Sequence, residues 1–192
     1  MRQAQRHYSV AEYLSLDEGS NLRLEYFEGE IFAISSGSRN HNLIAQNLTR
    51  SFDALRRNGC LAYINDLRLS APAGLFTYPD VMLVCGPTAL THDNPETITN
   101  PVLIGEVLSA STRDYDRGQK FELYRTIPTL RDYLLVDQYA IDVEHRFLSD
   151  ARWESRRYTG GGDAFALTGV DVTLLVGALY DLVDFSAARD DQ

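Results

Sequence analysis

Apolar and polar positions follow a strand period in some stretches and a helix period in others. Val102 to Leu108 is an unbroken run rich in Val, Ile and Leu, fenced by Pro101, and reads as a strand. Side chains alternate along a strand, so Val102, Ile104, Glu106 and Leu108 share one face and Leu103, Gly105 and Val107 the other. Both faces are apolar, which predicts a central strand covered on both sides. Glu106 interrupts that pattern. A carboxylate buried there is costly unless it is paired, hydrogen-bonded or bound to a cation. A second apolar run, Tyr78-Pro-Asp-Val-Met-Leu-Val-Cys85, carries Asp80 at its opening.

The remaining elements follow from the same two periods. Ser9-Val-Ala-Glu12 has the form of a capping box, with Tyr8 as a staple and a short helix to about Leu16. Leu22 to Phe27 and Glu30 to Ser35 form a predicted hairpin turning at Glu28-Gly29. After the loop 36–40, Leu43, Ile44, Leu48, Phe52 and Leu55 recur at helical spacing. This predicts a long helix over 41–58, capped by Asn40 and stopped by Gly59. Leu61 to Leu69 reads as a strand and Ala71-Pro-Ala-Gly74 as a turn. Residues 86–100, with Pro87, Pro95 and many Asn, Asp and Thr, form a predicted loop. A helix is expected from Asp116 to about Ile127, ended by Pro128. Strands are expected at 132–137, 141–147 and 152–159, with Gly160-Gly-Gly162 as a turn. Leu174 to Val176 and Leu179 to Val183 should pack against the body. With no repeat, linker or low-complexity segment, the 192 residues predict one α/β domain spanning 1–192.

Composition adds constraints rather than detail. The apolar fraction of 44% and charged fraction of 23% are those of a soluble globular protein. No apolar run is long enough to span a membrane, and the N-terminus lacks the apolar core of a secretory signal, so a cytoplasmic location without membrane partners is expected. Cys60 and Cys85 stand outside any Cys/His cluster, which argues against zinc. A disulfide between them is geometrically allowed but disfavoured in a reducing compartment, and neither cysteine sits in a nucleophile motif. A net charge of −9 argues against non-specific nucleic-acid binding by the chain as a whole. It leaves room for local basic surface at Arg50, Arg56 and Arg57, and at Arg113 and Arg117.

Asp80 emerges from a turn into a strand, and Glu106 lies within the next major strand. If those strands are neighbours, the two acids can converge on one hard cation. Such cations commonly act in phosphoryl chemistry, activating water and stabilising developing charge on oxygen. Lys120, on the helix that follows, shares a face with Asp116 and Tyr124 and could orient a bound water. The plainer reading is a half-buried glutamate, an aspartate at a strand end, and a helix lysine paired with Asp116, a contact worth little. An acid and base pair acting on a glycoside would use the same two carboxylates without a metal. Asp114 and Asp116 read as helix-start residues. His7, His92 and His145 have no constellation around them.

Four segments in order carry a resemblance: 78–84, Leu103-Ile-Gly-Glu-Val-Leu-Ser-Ala-Ser-Thr112, Asp116-Arg-Gly-Gln-Lys-Phe-Glu-Leu-Tyr-Arg125 and Leu130-Arg-Asp-Tyr-Leu-Leu-Val-Asp137. With Leu24-Glu-Tyr-Phe-Glu-Gly-Glu-Ile31 and Asn40-His-Asn-Leu-Ile44, they resemble the Uma2 (Uma-two) family of restriction endonucleases, in the PD-(D/E)XK nuclease superfamily. The resemblance implies a restriction-endonuclease-like fold: a mixed central sheet flanked by helices, with an added N-terminal hairpin. It implies a Mg²⁺-dependent endonuclease acting on DNA, with Mn²⁺ as a substitute. Asp80 matches the aspartate of the family's Pro-Asp motif and Glu106 the acid of its E-x-K element, together holding the metal with the backbone carbonyl of Val107. Leu108 stands where the superfamily's lysine would be, and Lys120 matches a lysine supplied from the following helix instead. Glu25 matches an accessory acid of the hairpin. His41 matches the histidine opening the long helix, as a phosphate contact or a local cap. A homodimer fits cleavage of two strands by two sites. A nuclease-like module that binds DNA or protein without cleaving it is the alternative.

Overall fold

A computed structural model describes residues 6–34, 37–91 and 96–186. The expected strand end at Ser35, the loop position Ser36, and His92 and Pro95 lie outside the described residues. The chain opens with α1 (Val10–Glu18), the hairpin strands β1 (Leu24–Phe27) and β2 (Glu30–Ala33), and α2 (Arg39–Arg50). A 3-10 turn, Asp53–Asn58, leads to β3 (Cys60–Ile64), β4 (Arg68–Ala71), β5 (Leu75–Thr77), β6 (Val81–Cys85) and β7 (Thr97–Ile98). Then come β8 (Leu103–Leu108), α3 (Arg113–Arg117), α4 (Gln119–Tyr124) and β9 (Asp132–Asp137). The chain closes with β10 (Val143–Ser149), β11 (Arg152–Tyr158), β12 (Ala164–Ala166), β13 (Thr173–Leu175) and α5 (Val176–Leu179).

Two sheets and a small hairpin organise these elements. The larger sheet runs β11-β10-β9-β8-β6-β3, and the smaller runs β2-β1-β5-β4-β7. β8 pairs antiparallel with β6 and parallel with β9, so the larger sheet is mixed. All six residues of β8 are buried, as expected of a strand covered on both sides. Leu103 and Val107 face one core with Ile44, Leu48 and Phe52 of α2 and with Leu174, Val176 and Leu179 of the C-terminal segment. Ile104 and Leu108 face a second core, with Phe121 and Tyr124 of α4 and with Leu69, Leu75 and Ile98 of the smaller sheet. From Leu103 onward the alternation read from sequence thus assigns each face its own covering layer, whereas Val102, expected on the Ile104 face, precedes the strand and packs against the first core.

Several local readings hold and several shift. The Ser9–Glu12 capping box is complete, with each side chain bonded to the other's backbone. The hairpin turns at Glu28 and Gly29, both with positive φ (48° and 87°), as a two-residue turn requires. Ser38, not Asn40, caps α2, its Oγ accepting from His41 N–H, while Asn40 is buried and donates to the carbonyls of Gln138 and Asp184. The long helix stops at Arg50 and tightens into the 3-10 turn, which Gly59 ends at φ 78°. Leu61 to Leu69 is not one strand, since Asn65 at φ 48° breaks it and sends its halves to different sheets. The helix expected at 116–127 is two short helices broken at Gly118. The predicted loop 86–100 contributes the short strand β7, parallel to β4. Cys60 and Cys85 are joined by a disulfide, against expectation. The antiparallel register of β3 and β6 sets them directly opposite, with Cα atoms 4.0 Å apart.

Two buried side-chain contacts to carboxylates fasten the periphery. Arg68 bonds Asp17 at 2.7 Å and so ties α1 to the smaller sheet, with Tyr78 donating to the same carboxylate. His145, which had no visible partner in the sequence, sits 2.8 Å from Asp132, and Asp132 also accepts the N–H groups of Thr168 and Gly169. Breaking either pair would strand a buried charge. Among the described residues no helix is long and apolar enough to cross a membrane.

Gly105 is where the sheet and α2 meet most closely. A Cβ there would lie 2.6 Å from Leu48 Cδ2. We predict that Gly105→Ala costs about 1–3 kcal/mol through overpacking and Leu48→Ala about 2–5 kcal/mol through a cavity. The double variant should lose less than the sum, because removing Leu48 removes the clash. Urea denaturation of the three variants checks this, and strict additivity would contradict it.

Candidate active site

The larger sheet brings Asp80 and Glu106 together. β6 and β8 are adjacent antiparallel strands with Val81 opposite Gly105, so Asp80, just before β6, sits beside Glu106. The backbone N–H of Asp80 points to Glu106 Oε2 at 3.4 Å, and that of Val107 donates to Asp80 Oδ2 at 2.8 Å. His41, at the start of α2, places Nε2 3.0 Å from the same Oδ2. The Asp80 carboxylate accepts, so the ring donates through Nε2–H, and its Nδ1 is buried without a partner. Both contacts fall on Oδ2 and neither on Oδ1.

Lys120 enters from the opposite side of Glu106. The turn after β8 and the break at Gly118 fold α4 back over the sheet, so that Lys120 meets the Glu106 face. Its Nζ lies 2.9 Å from Glu106 Oε1, 3.3 Å from Asp116 Oδ1 and 4.0 Å from Glu25 Oε2. Tyr124 donates to Glu106 Oε1 at 2.7 Å. Glu25, on β1, is fixed by Tyr115 and Thr77, each donating at 2.5 Å. Glu25, Glu106, Asp116 and Lys120 are all buried.

Burial dominates the electrostatics. It pushes the Glu106 carboxyl up to about 8 against the pull of Lys120, and the neighbouring charges of Asp80 and Asp116 push the same way. Burial alone would lower Lys120, but Glu106, Tyr124, Asp116 and Glu25 outweigh it and hold the ammonium well above its ordinary range. Burial likewise raises Tyr124, and the Glu106 charge adds to it. The lysine is therefore a fixed cation, and Glu106 is the group whose proton is at issue.

These residues line a cleft of about 1300 Å³, walled by the β1–β2 hairpin on one side and by the Ser109–Thr112 turn on the other. Seven carboxylates line it against two basic side chains, Arg23 and Lys120, and Arg23 is already paired with Asp66. A polyanionic substrate cannot enter such a cleft favourably without a cation to offset the acids. Among the described residues no group of three or more His, Cys, Asp and Glu side chains is arranged to hold a metal ion. The oxygen donors on hand are the carboxylates of Asp80 and Glu106 and the main-chain carbonyl of Val107, a hard set of the kind that suits Mg²⁺.

Every residue singled out from the sequence (Glu25, His41, Asp80, Glu106, Val107 and Lys120) lines this cleft. His41 does not cap local structure alone, since its ring bonds Asp80. Asp116 does lie in the first turn of α3, as expected, but it is also a buried partner of Lys120. The four-residue spacing to Lys120 was its one sequence signal. Tyr115 and Thr77 were missed, since hydroxyl partners leave no periodic trace; Tyr124 was placed on the Lys120 face, but its bond to Glu106 was not foreseen. The flanking arginines are committed elsewhere: Arg117 to Glu144 at 3.2 Å and Arg113 to Asp137 at 3.9 Å.

A mixed sheet flanked by helices, with paired acids at adjacent strands, defines a restriction-endonuclease-like α/β protein. The solved structure of a protein described as "a putative nuclease belonging to DUF820" from Anabaena variabilis shares the fold. Its TM-score is 0.73 at 15% identity, over 92% of this chain and 99% of that one. Residues 10–176 match the model of the Uma2 family, described as "Putative restriction endonuclease", and the chain belongs to that family. Two uncharacterised proteins of Synechocystis sp. are similar. One, sll1609, is 38% identical over 76% of this chain and 84% of its own length. The other, slr1290, is 34% identical over 90% of each.

The raised Glu106 has a consequence for stability. Between its ordinary value of 4.5 and about 8, the folded chain keeps a proton on Glu106 that the unfolded chain has released. Stability from this group therefore falls as pH rises through that window. We expect Glu106→Gln, which cannot ionise, to match the wild type near pH 5 and to exceed it by at least about 1 kcal/mol at pH 8. Denaturant midpoints of both proteins at the two pH values test this, and parallel pH profiles would contradict it.

Proposed function

We propose that the protein is a Mg²⁺-dependent endonuclease that hydrolyses phosphodiester bonds of DNA. The observation that supports this reading best is the joining of Asp80 and Glu106 through two main-chain bonds, with a buried lysine ammonium 2.9 Å from the glutamate. Asp80, Glu106 and the carbonyl of Val107 would hold the ion, and Mn²⁺ could replace it. When bound, the ion supplies charge compensation in the acidic cleft and acidifies a water.

The chain's own groups do the rest. His41 fixes one oxygen of Asp80, as does the N–H of Val107, so the carboxylate keeps one orientation. Lys120, held by Asp116 and Glu25, presents a permanent positive charge beside Glu106 and would orient the attacking water and offset charge growing on the phosphate. The water gives up a proton as its oxygen bonds to phosphorus, one P–O ester bond breaks, and the departing oxygen takes up a proton from solvent, so that one water is consumed per bond cleaved. A binding module of the same fold would need the cleft but not the lysine. Acid and base chemistry on a glycoside would need the two carboxylates but no cation, and the excess of carboxylates in the cleft favours the metal-dependent reading.

Lys120→Met keeps most of the bulk and removes the charge. We expect the variant to fold and still to bind Mn²⁺ and DNA, but to nick plasmid DNA in Mg²⁺ at least about a hundredfold more slowly. Matched folded preparations compared in one nicking assay decide it. Equal rates would remove Lys120 from the mechanism, and a wild type that binds DNA without nicking it in any divalent ion would favour the binding module.

A further inference from the structure

β11 is the outermost strand of the larger sheet, at the end away from β6 and the cleft. All seven of its residues, Arg152 to Tyr158, pair with β10 in one unbroken register. Its other edge has no strand beside it among the described residues. Exposed edges are commonly blunted by bulges, prolines, short length or charged side chains. β11 has no proline and no skip in register over seven residues, and its four charges are of both signs, so they repel a second strand in some registers and attract it in others.

The sequence of this edge, Arg-Trp-Glu-Ser-Arg-Arg-Tyr, is complementary to itself about Ser155. We propose that β11 is the seam of a homodimer, in which two copies join their β11 strands antiparallel about a two-fold axis through Ser155. In that register Glu154 faces Arg156 of the second copy, and Arg156 faces its Glu154. Trp153 faces Arg157, Arg152 faces Tyr158, and Ser155 faces Ser155. Each cross-strand pair is therefore an opposite-charge pair, a cation over an aromatic ring, or two hydroxyls, all of which stabilise antiparallel ladders. A two-fold axis makes every contact count twice.

Neighbouring registers fail. An axis normal to a continuous sheet keeps each face on its own side, so registers change only by moving the centre a whole residue. Centring on Glu154 sets Glu154 against Glu154 and Arg152 against Arg156. Centring on Arg156 sets Arg156 against itself. Like charges directly opposite destabilise the pair, so the strand selects Ser155. The charged side chains are exposed, while Trp153 and Tyr158 are half-buried with one side against Phe121 and Phe165; Glu154 and Arg156 lie 4.0 Å apart along the strand, Arg156 sits over the Phe147 ring, and Asp142 holds Arg157.

The dimer would form one sheet of twelve strands, six from each copy. Its axis turns β8 end for end, so the two clefts open at opposite ends of the sheet and work independently. The proposal does not rest on the assignment of the cleft. A one-strand seam buries less than a standard interface, so a reversible dimer with a dissociation constant on the order of micromolar is expected.

Sedimentation equilibrium of the full chain, across concentrations bracketing that value, tests the proposal. The wild type should shift from 21.6 kDa towards twice that mass. Glu154→Arg and Arg156→Glu should each raise the dissociation constant at least about tenfold. The charge-swapped double variant, Glu154→Arg with Arg156→Glu, should restore the wild-type value. Circular dichroism confirms that each variant is folded, and cleft activity per subunit should not change. A wild type that stays at 21.6 kDa up to roughly a hundred micromolar overturns the dimer. A dimer that survives the single variants, or that the swap fails to restore, overturns this seam.

Discussion

Three buried carboxyl groups, from Glu25, Glu106 and Asp116, gather around one ammonium at the cleft wall, and Asp80 sits half-buried beside Glu106. Such an arrangement is expensive, because each buried charge forfeits its hydration. It persists because hydroxyls of Tyr115, Tyr124 and Thr77 and the main-chain N–H groups of Asp80 and Val107 satisfy the oxygens. It persists also because Glu106 holds a proton to about pH 8 rather than add another full charge. The site is thus compensated by protons and hydrogen bonds, and under the proposed function a cation would add to that compensation.

The surrounding architecture serves that constraint. The β6–β8 pairing fixes the spacing of Asp80 and Glu106 to within one strand separation. Gly105 lets α2 settle onto the back of β8, which aims His41 at Asp80 from the far side. The smaller sheet carries Glu25 and Thr77 and is anchored by the Asp17–Arg68 pair. Groups on β1, α2, β5, β8, α3 and α4, with Asp80 just before β6, therefore meet at one place, and no element alone carries the site.

The parts legible in the sequence were those with a period. Alternation along Val102 to Leu108 predicted both covering layers and isolated Glu106 as the anomaly. The Pro-Asp opening of the neighbouring run placed Asp80, and family resemblance ordered the segments. What stayed hidden depends on tertiary register. Cys60 and Cys85 lie 25 positions apart, and only the β3–β6 pairing puts them opposite. Asn65 and Gly118 break a strand and a helix that hydropathy alone continues. Asp116 read as a helix-start residue because its partner contact forms only after α4 folds back. His145 found Asp132 across two strands that periodicity placed but could not align.

The central claim is that Asp80 and Glu106 share one divalent ion. Crystals soaked in Mn²⁺ at a pH above 8, where Glu106 has given up its proton, test it most directly by anomalous scattering. One anomalous peak within ligand distance of both carboxylates, at about 2.0–2.3 Å, is the predicted result. A cleft without a peak, or a peak bound to one acid and remote from the other, would contradict it.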